Sequence, residues 1–343
     1  MGDARGYARV RVISVVVPIF NEQENLPELH RRTVAALEQT RDDWELILVD
    51  DGSRDLSPHV IRGLSAADAR VKLVSLSRNF GHQPACTAGL HHAAGDCVVL
   101  MDGDLQDPPE LIPAMVAKWH EGFHVVTAER TSRADARGLR GMGFRLFYPL
   151  MRAVTDLPVV PSAGIFGLMD RAVLDELNKL PEHHRFVPGL RAWLGFSRTT
   201  VTYDRADRAA GQPKQTLSRL IKYAADAMFS FSTKPLRAAT WLGFAVSAMS
   251  FVMALWYLTT FYAFHKPITG FTTTIVCVLF LGGVQLIAVG ILGEYVGRIY
   301  DEVKQRPLYV VKERAGFADR RDPAGGGVLA GAGRRRTMPA EAE

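Results

Sequence analysis

Two aspartates one residue apart, Asp102 and Asp104, offer the clearest chemistry in this 343-residue chain. They follow the apolar run Cys97-Val98-Val99-Leu100-Met101 and precede Leu105-Gln106-Asp107-Pro108-Pro109. Carboxylates so spaced on a strand-end turn can share a hard cation such as Mg2+ or Mn2+. Such a cation binds diphosphate oxygens and stabilises the leaving group when a sugar–phosphate bond breaks. A solvated turn gives the same Asp-x-Asp string, so its place after a buried run is what favours the metal. A second acidic pair, Asp50-Asp51, closes the run Leu46 to Val49 and leads into Gly52-Ser53-Arg54-Asp55. Buried acids there can accept hydrogen bonds from a base N–H or a ribose hydroxyl. Gly52 permits a sharp turn, and Ser53 or Asp55 can cap the next helix. The third group, Pro18-Ile19-Phe20-Asn21-Glu22, offers a ring to pack on a base and a carboxylate to hold it.

Such groups work together only if a frame gathers strand ends. The first 130 residues alternate short apolar runs with helix-like segments, the pattern of a mostly parallel α/β sheet. Strands are expected at Val12 to Phe20, Leu46 to Val49, Val71 to Leu76, Val98 to Met101 and Val125 to Thr127. Helices are expected at Glu24 to Gln39, Leu56 to Ala67, Gln83 to Ala94 and Pro109 to Trp119. Ligands of open sheets sit beyond the carboxyl ends of the strands. Asn21-Glu22, Asp50-Asp51, Arg78-Asn79 and Asp102-Gly103-Asp104 all fall there.

The hydrophobic content of 48% conceals a split. Ala238 to Phe264 and Pro267 to Gly293 contain no Asp, Glu, Lys or Arg, and each exceeds the roughly 20 residues that span a bilayer. They predict a tight transmembrane hairpin broken at Pro267. Lys222, Lys234 and Arg237 precede it and Arg298, Lys304 and Arg306 follow it, against Lys266 alone in the turn. That asymmetry places both termini and the N-terminal domain in the cytoplasm, as part of an inner-membrane protein. No apolar run in Met1 to Arg11 is long enough for a signal peptide. The net charge of +5 suits an anionic membrane surface, and nothing in the pattern suits nucleic acid. Cys86, Cys97 and Cys277 lack metal-ligand spacing and read as small hydrophobes in a reducing compartment. Gly138 to Val154 and Leu217 to Phe231 are amphipathic, fit for the bilayer surface or for a soluble core. From Ala315 on, Gly, Ala and Arg predict disorder.

The motifs VVVPIFNEQENL, VDDGSRD, SLSRNFGHQ and MDGDLQDPPE, in this order, resemble the family 2 inverting glycosyltransferases of GT-A fold. The resemblance runs on through Arg145-Leu146-Phe147-Tyr148, Leu168-Met169-Asp170-Arg171 and Glu294-Tyr295-Val296-Gly297-Arg298 to Tyr309. It is most similar to the polyprenyl-phosphate glycosyltransferases, the dolichol-phosphate mannosyltransferases and bacterial undecaprenyl-phosphate glucosyltransferases with two C-terminal spans. It implies a GT-A nucleotide-sugar-binding domain (12–215), an interfacial helix (216–235), a transmembrane hairpin (236–297) and a cytoplasmic segment (298–314). A short N-terminal tail (1–11) and a disordered C-terminal one (315–343) flank these.

The resemblance also implies roles. Pro18, Phe20, Glu22 and Asp50 match nucleotide positions, with Asp51 beside them. Asp102, Asp104 and Gln106 match metal positions, and Gly103 approaches the diphosphate. Arg130 matches a basic position after the fifth strand. Arg208 and Lys214, flanking Gly211, match a mobile basic loop that contacts phosphates and joins Asp102 and Asp104 in catalysis; a solvated face near lipid headgroups is the plainer reading of such cations. The implied reaction moves a hexose from a UDP- or GDP-sugar to a polyprenyl phosphate at the bilayer, with inversion, in a homo-oligomer. Two departures stand out: Gly164-Ile165-Phe166-Gly167 replaces the Gly-Asp-Phe-Arg of many relatives, and Lys214-Gln215 replaces Lys-Tyr. The first bears on donor sugar or acceptor phosphate, and leaves a catalytically impaired scaffold as one alternative. A polysaccharide synthase of the same fold is another, although Gly189-Leu190-Arg191-Ala192-Trp193 does not match the Gln-x-x-Arg-Trp of those enzymes.

Overall fold

The computed structural model describes residues 11–130, 163–203, 232–264 and 270–317. Strand β1 (Val12–Ile19) is buried on both faces, as its β-branched run demands. Helix α1 (Leu26–Leu37) buries Leu26, Leu29, Thr33, Ala36 and Leu37, and leads to β2 (Asp43–Asp50). Then come α2 (Ser57–Ala67), β3 (Val71–Leu76), α3 (His82–His92) and β4 (Cys97–Leu100). A 3-10 turn at Pro109–Leu111 opens α4 (Ile112–His120), which precedes β5 (Val125–Arg130). Strand β6 (Ala163–Asp170), α5 (Arg171–Lys179), α6 (Val187–Trp193) and β7 (Arg198–Tyr203) complete this part. The long helices α7 (Lys234–Phe264) and α8 (Phe271–Lys304) follow, then β8 (Val311–Ala315).

One eight-stranded sheet results, in the order β7-β5-β6-β4-β1-β2-β3-β8. β1 pairs in parallel with β2 on one side and β4 on the other, and β5 with β7, while β6 and β8 run antiparallel to their neighbours. The chain steps outward from β1 to β2 and β3, then returns to β1's other side as β4. Connections after β1 and β4 therefore depart in opposite directions, which opens a crevice at the carboxyl ends of those two strands. Ile13, Val15 and Val17 pack on the α1, α2 and α4 side, whereas Val16, Ile47 and Val98 meet α3, α5 and α6.

The expected elements of the first 130 residues all occur, with ends shifted by a few residues. Helices α7 and α8 are long and apolar enough to cross a membrane, and their most apolar stretches are not buried by the protein. The chain after α8 departs from expectation. The segment expected over 298–314 ends in an unforeseen strand, Val311–Ala315, whose alternating residues add to the open edge of β3, and only Ala315 of it falls in the stretch expected to be disordered. The Ser77 N–H donates to the Val310 carbonyl (2.8 Å), and Arg62 grips both oxygens of Glu313 (2.8 Å each). At the end of α8, Glu302 accepts the His183 N–H at 2.8 Å. The segments expected to be amphipathic, 138–154 and 217–231, lie outside the described residues, as does the tail from 318.

Candidate active site

The turns after β1 and β2 are laced into one lip. The Asn21 N–H donates to Ser53 Oγ (3.0 Å), the Glu22 N–H to Ser57 Oγ (3.0 Å) and the Gln23 N–H to Asp55 Oδ2 (3.2 Å). In the other direction, the Arg54 N–H donates to Asn21 Oδ1 (2.8 Å) and the Leu56 N–H to Gln23 Oε1 (2.9 Å). Asp55 Oδ1 also accepts the Ser57 N–H at 3.0 Å, but the N-cap of α2 is Leu56, which has no side-chain cap, so neither Ser53 nor Asp55 holds the capping position expected of it. Pro18 lies within β1 opposite Val49, and Phe20, just beyond the strand, is 41% exposed. Glu22 Oε2 accepts from Asn25 Nδ2 at 2.6 Å. A free aromatic face and a carboxylate thus stand together at the mouth of the crevice.

Asp50 and Asp51 are both buried. Asp50 accepts the Ser53 N–H (3.0 Å) and the Ser75 hydroxyl (2.8 Å), so it ties the turn to β3. Asp51 accepts the Phe80 N–H (2.8 Å) and the Gly81 N–H (2.9 Å), holding the loop that leads into α3. Burial pushes the Asp51 carboxyl above its ordinary range, and the two N–H donors offset that only in part. Gly52 has φ +67°, and a Cβ there would lie 2.4 Å from the Arg78 carbonyl carbon. Only glycine fits.

The turn after β4 is built differently. The Asp102 side chain is 40% exposed, and its Oδ1 meets His82 Nε2 at 2.8 Å. Burial opposes a charge on that imidazole, but the Cys86 sulfur and the Asp102 carboxylate outweigh it and raise its pKa. Burial also raises the Cys86 thiol and keeps it neutral, so Asp102 is the partner that matters. A Cβ on Gly103 would lie 2.7 Å from Ile19 Cδ1 and 3.2 Å from the Pro18 carbonyl. Packing on the end of β1 therefore favours a residue without a side chain at that position. Leu105 sits at φ 59°, a costly conformation for a branched residue. Its neighbours impose it: Asp104 Oδ1 accepts the Gln106 N–H (3.2 Å), and buried Asp107 accepts the Tyr203 hydroxyl (3.0 Å) and the Asp102 N–H (3.5 Å).

Pro18, Phe20, Glu22, Asp50, Asp51, Asp102, Gly103, Asp104 and Gln106 therefore share one end of the sheet. Arg130 ends β5, with its side chain outside the description, and Arg208 and Lys214 lie outside the described residues. Sequence reasoning missed His82 and Asp107. Both stood inside quoted motifs, FGHQ and QDPPE, but only the fold brings them to the Asp102 turn.

The description "Glycosyl transferase family 2" matches residues 14–177, and "GtrB C-terminal hairpin" matches residues 234–299. "Uncharacterized glycosyltransferase YkcC" of Bacillus subtilis is 42% identical over 90% of this chain and 95% of its own. The chain belongs to glycosyl transferase family 2. The "SfII prophage-derived bactoprenol glucosyl transferase" of Shigella flexneri is 40% identical over 88% of this chain and 97% of its own. Among solved structures, the mannosyltransferase PcManGT of Pyrobaculum calidifontis, in complex with GDP-Man and Mn2+, is similar over 85% of both chains. Its 17% identity and TM-score of 0.45 are too low to inform the site.

This family 2 glycosyltransferase is thus an enzyme with a GT-A-type sheet and two membrane-length helices. Its Asp102 turn has the donor chemistry for a hard divalent cation: two carboxylates and the Gln106 amide, all oxygen ligands. No group of three or more His, Cys, Asp or Glu among the described residues could hold a metal. The turn would therefore supply part of a coordination shell and leave the rest to water and substrate oxygens, as Mg2+ favours.

Proposed function

We propose that this glycosyltransferase moves glucose from UDP- or GDP-glucose to a polyprenyl phosphate such as undecaprenyl phosphate, with inversion, on the cytoplasmic face of the membrane. The observation that carries the reading is the half-exposed Asp102–Asp104 pair at the β1–β4 crevice, in a chain that also bears bilayer-length helices. The relatives named bactoprenol glucosyl transferase supply the sugar and the lipid class. In this reading, Phe20 packs on the base and Glu22 and Asp50 hold the nucleoside. Asp102, Asp104 and Gln106 hold a divalent metal, which when bound neutralises the diphosphate as it leaves.

The acceptor needs little activation. A phosphomonoester has its second pKa near 6, so the lipid phosphate is largely dianionic at neutral pH and attacks without a strong base. The chain's task is to set two anions in line and to offset their repulsion. Arg130, Arg208 and Lys214 are the cations proposed for that task. Lys and Arg flanking the hairpin support cytoplasmic termini.

Purified protein incubated with UDP-glucose or GDP-glucose and a short polyprenyl phosphate should yield the lipid-linked glucose with Mg2+ or Mn2+ and none with EDTA. Hydrolysis without lipid glycosylation would refute the acceptor. A thiol label on Glu24→Cys, in a background without the native cysteines, should require permeabilised cells. A homo-oligomer is proposed with this reading, and light scattering in detergent at the monomer mass would contradict it.

A further inference from the structure

On β6, the place of a side chain at Gly167 is already taken. A Cβ there would lie 2.6 Å from Arg191 Nη1, 3.3 Å from Arg191 Cζ and 2.7 Å from the Val126 carbonyl oxygen. The guanidinium that α6 sends to β6 is buried. Its acceptors among the described residues are the Ile165 and Gly164 carbonyls, at 3.5 and 3.4 Å, both long for a charged donor. No carboxylate among the described residues forms an ion pair with it, and burial alone pulls its pKa down to about 10. Arg191 therefore stays charged at neutral pH. A buried cation without an acid is costly unless an anion arrives to complete it.

Its position says where that anion comes from. The antiparallel register sets Gly167 beside Leu100, so Ile165 and Gly164 run on past the end of β4, alongside the Asp102–Gly103 turn. Leu100, Ile165, Val187 and Leu190 belong to the same buried face as α3. Gln83 Oε1 accepts the Val187 N–H at 3.1 Å, which joins the start of α3 to the start of α6. Arg191 thus approaches the catalytic end of the sheet from the side on which His82 meets Asp102. Gly164 is exposed, so the charge sits close beneath the surface there.

We infer that Arg191, whose guanidinium occupies the place of a Gly167 side chain, binds a phosphate group of a substrate at the catalytic end of the sheet. The inference rests on the proposed reaction, whose donor diphosphate and acceptor monophosphate are both anions. A guanidinium presents paired N–H donors that suit phosphate oxygens. The sequence departure then has a physical counterpart: the arginine missing from β6 is answered by one arriving from α6.

The test compares Arg191→Met, which keeps bulk without charge, with Arg191→Lys, which keeps the charge. Kinetics are measured against each substrate, alongside thermal unfolding and calorimetric binding of inorganic pyrophosphate and inorganic phosphate with Mg2+. Arg191→Met should fold at or above the wild-type midpoint and lose about 10²-fold in kcat/KM, in line with one lost charge stabiliser. Arg191→Lys should stay within about tenfold of wild type. A donor KM rise with weaker pyrophosphate binding assigns the donor diphosphate; an acceptor KM rise with weaker phosphate binding assigns the lipid phosphate. Equal kinetics in the two variants, or failure of both to fold, would mean that Arg191 only braces α6 on β6 and would overturn the inference. If wild type transfers no sugar, the reaction reading fails by itself, and the loss of pyrophosphate and phosphate binding in Arg191→Met still decides the site.

Discussion

The two acidic turns of the sheet look alike on paper, Asp50-Asp51-Gly52 after β2 and Asp102-Gly103-Asp104 after β4, yet the protein treats them oppositely. At the first, both carboxylates are buried, and serine and backbone N–H donors occupy all four oxygens. At the second, Asp102 is 40% exposed and engages one described partner, His82, through one oxygen. A strand-end acid is therefore not a ligand by position alone. What matters is whether the fold has already satisfied its oxygens. In the proposed reading the first pair shapes the lip and lends its remaining lone pairs to a nucleoside, and the second turns the exposed Asp102 carboxylate toward a cation.

That contrast predicts different failures. Asp104→Asn should leave the unfolding midpoint in place and lower transfer by about 10²–10³-fold, the scale of a lost electrostatic stabiliser. Tryptophan-monitored melting and product formation measure the two halves. Asp51→Ala should do the reverse first. It strands the Phe80 and Gly81 N–H groups and should cost about 1–3 kcal/mol of stability, read as a lower denaturant midpoint. A folded Asp51→Ala protein of unchanged stability would break the comparison. His82→Asn removes the described partner of Asp102 and should weaken metal affinity about tenfold, checked by Mn2+ titration. Asp55→Ala loses the bond to the Ser57 N–H at the start of α2 and one lip contact, and should cost about 1 kcal/mol with kcat little changed.

The strands and helices of residues 12–130 were legible because buried parallel strands are written as unbroken β-branched runs, such as Val12–Ile19. The membrane helices were legible from length and lack of charge. The later strands were not. β6 carries two glycines, β7 alternates exposed Thr and Arg, and β8 reads Val-Lys-Glu-Arg-Ala, so their pairing rests on neighbours far away in sequence. The same holds at the site. Asp102 and Asp104 could be picked from spacing, whereas His82, Asp107 and Arg191 act through contacts with residues 5 to 96 positions away. Gly167 was visible as a departure, but only the coordinates of Arg191 explain what fills its place.

In the proposed reaction the Asp102–Asp104 turn, and not the Asp50–Asp51 turn, carries the metal that binds the donor diphosphate. UDP or GDP binding, measured by calorimetry with Mn2+ and again with EDTA, tests it on wild type, Asp104→Asn and Asp50→Asn. Wild type and Asp50→Asn should each bind more tightly with Mn2+ than with EDTA, by at least about tenfold, whatever the loss of affinity in Asp50→Asn. Asp104→Asn should bind equally in both. A full Mn2+ increment retained in Asp104→Asn, or one lost in a folded Asp50→Asn protein, would contradict metal binding at the Asp102–Asp104 turn.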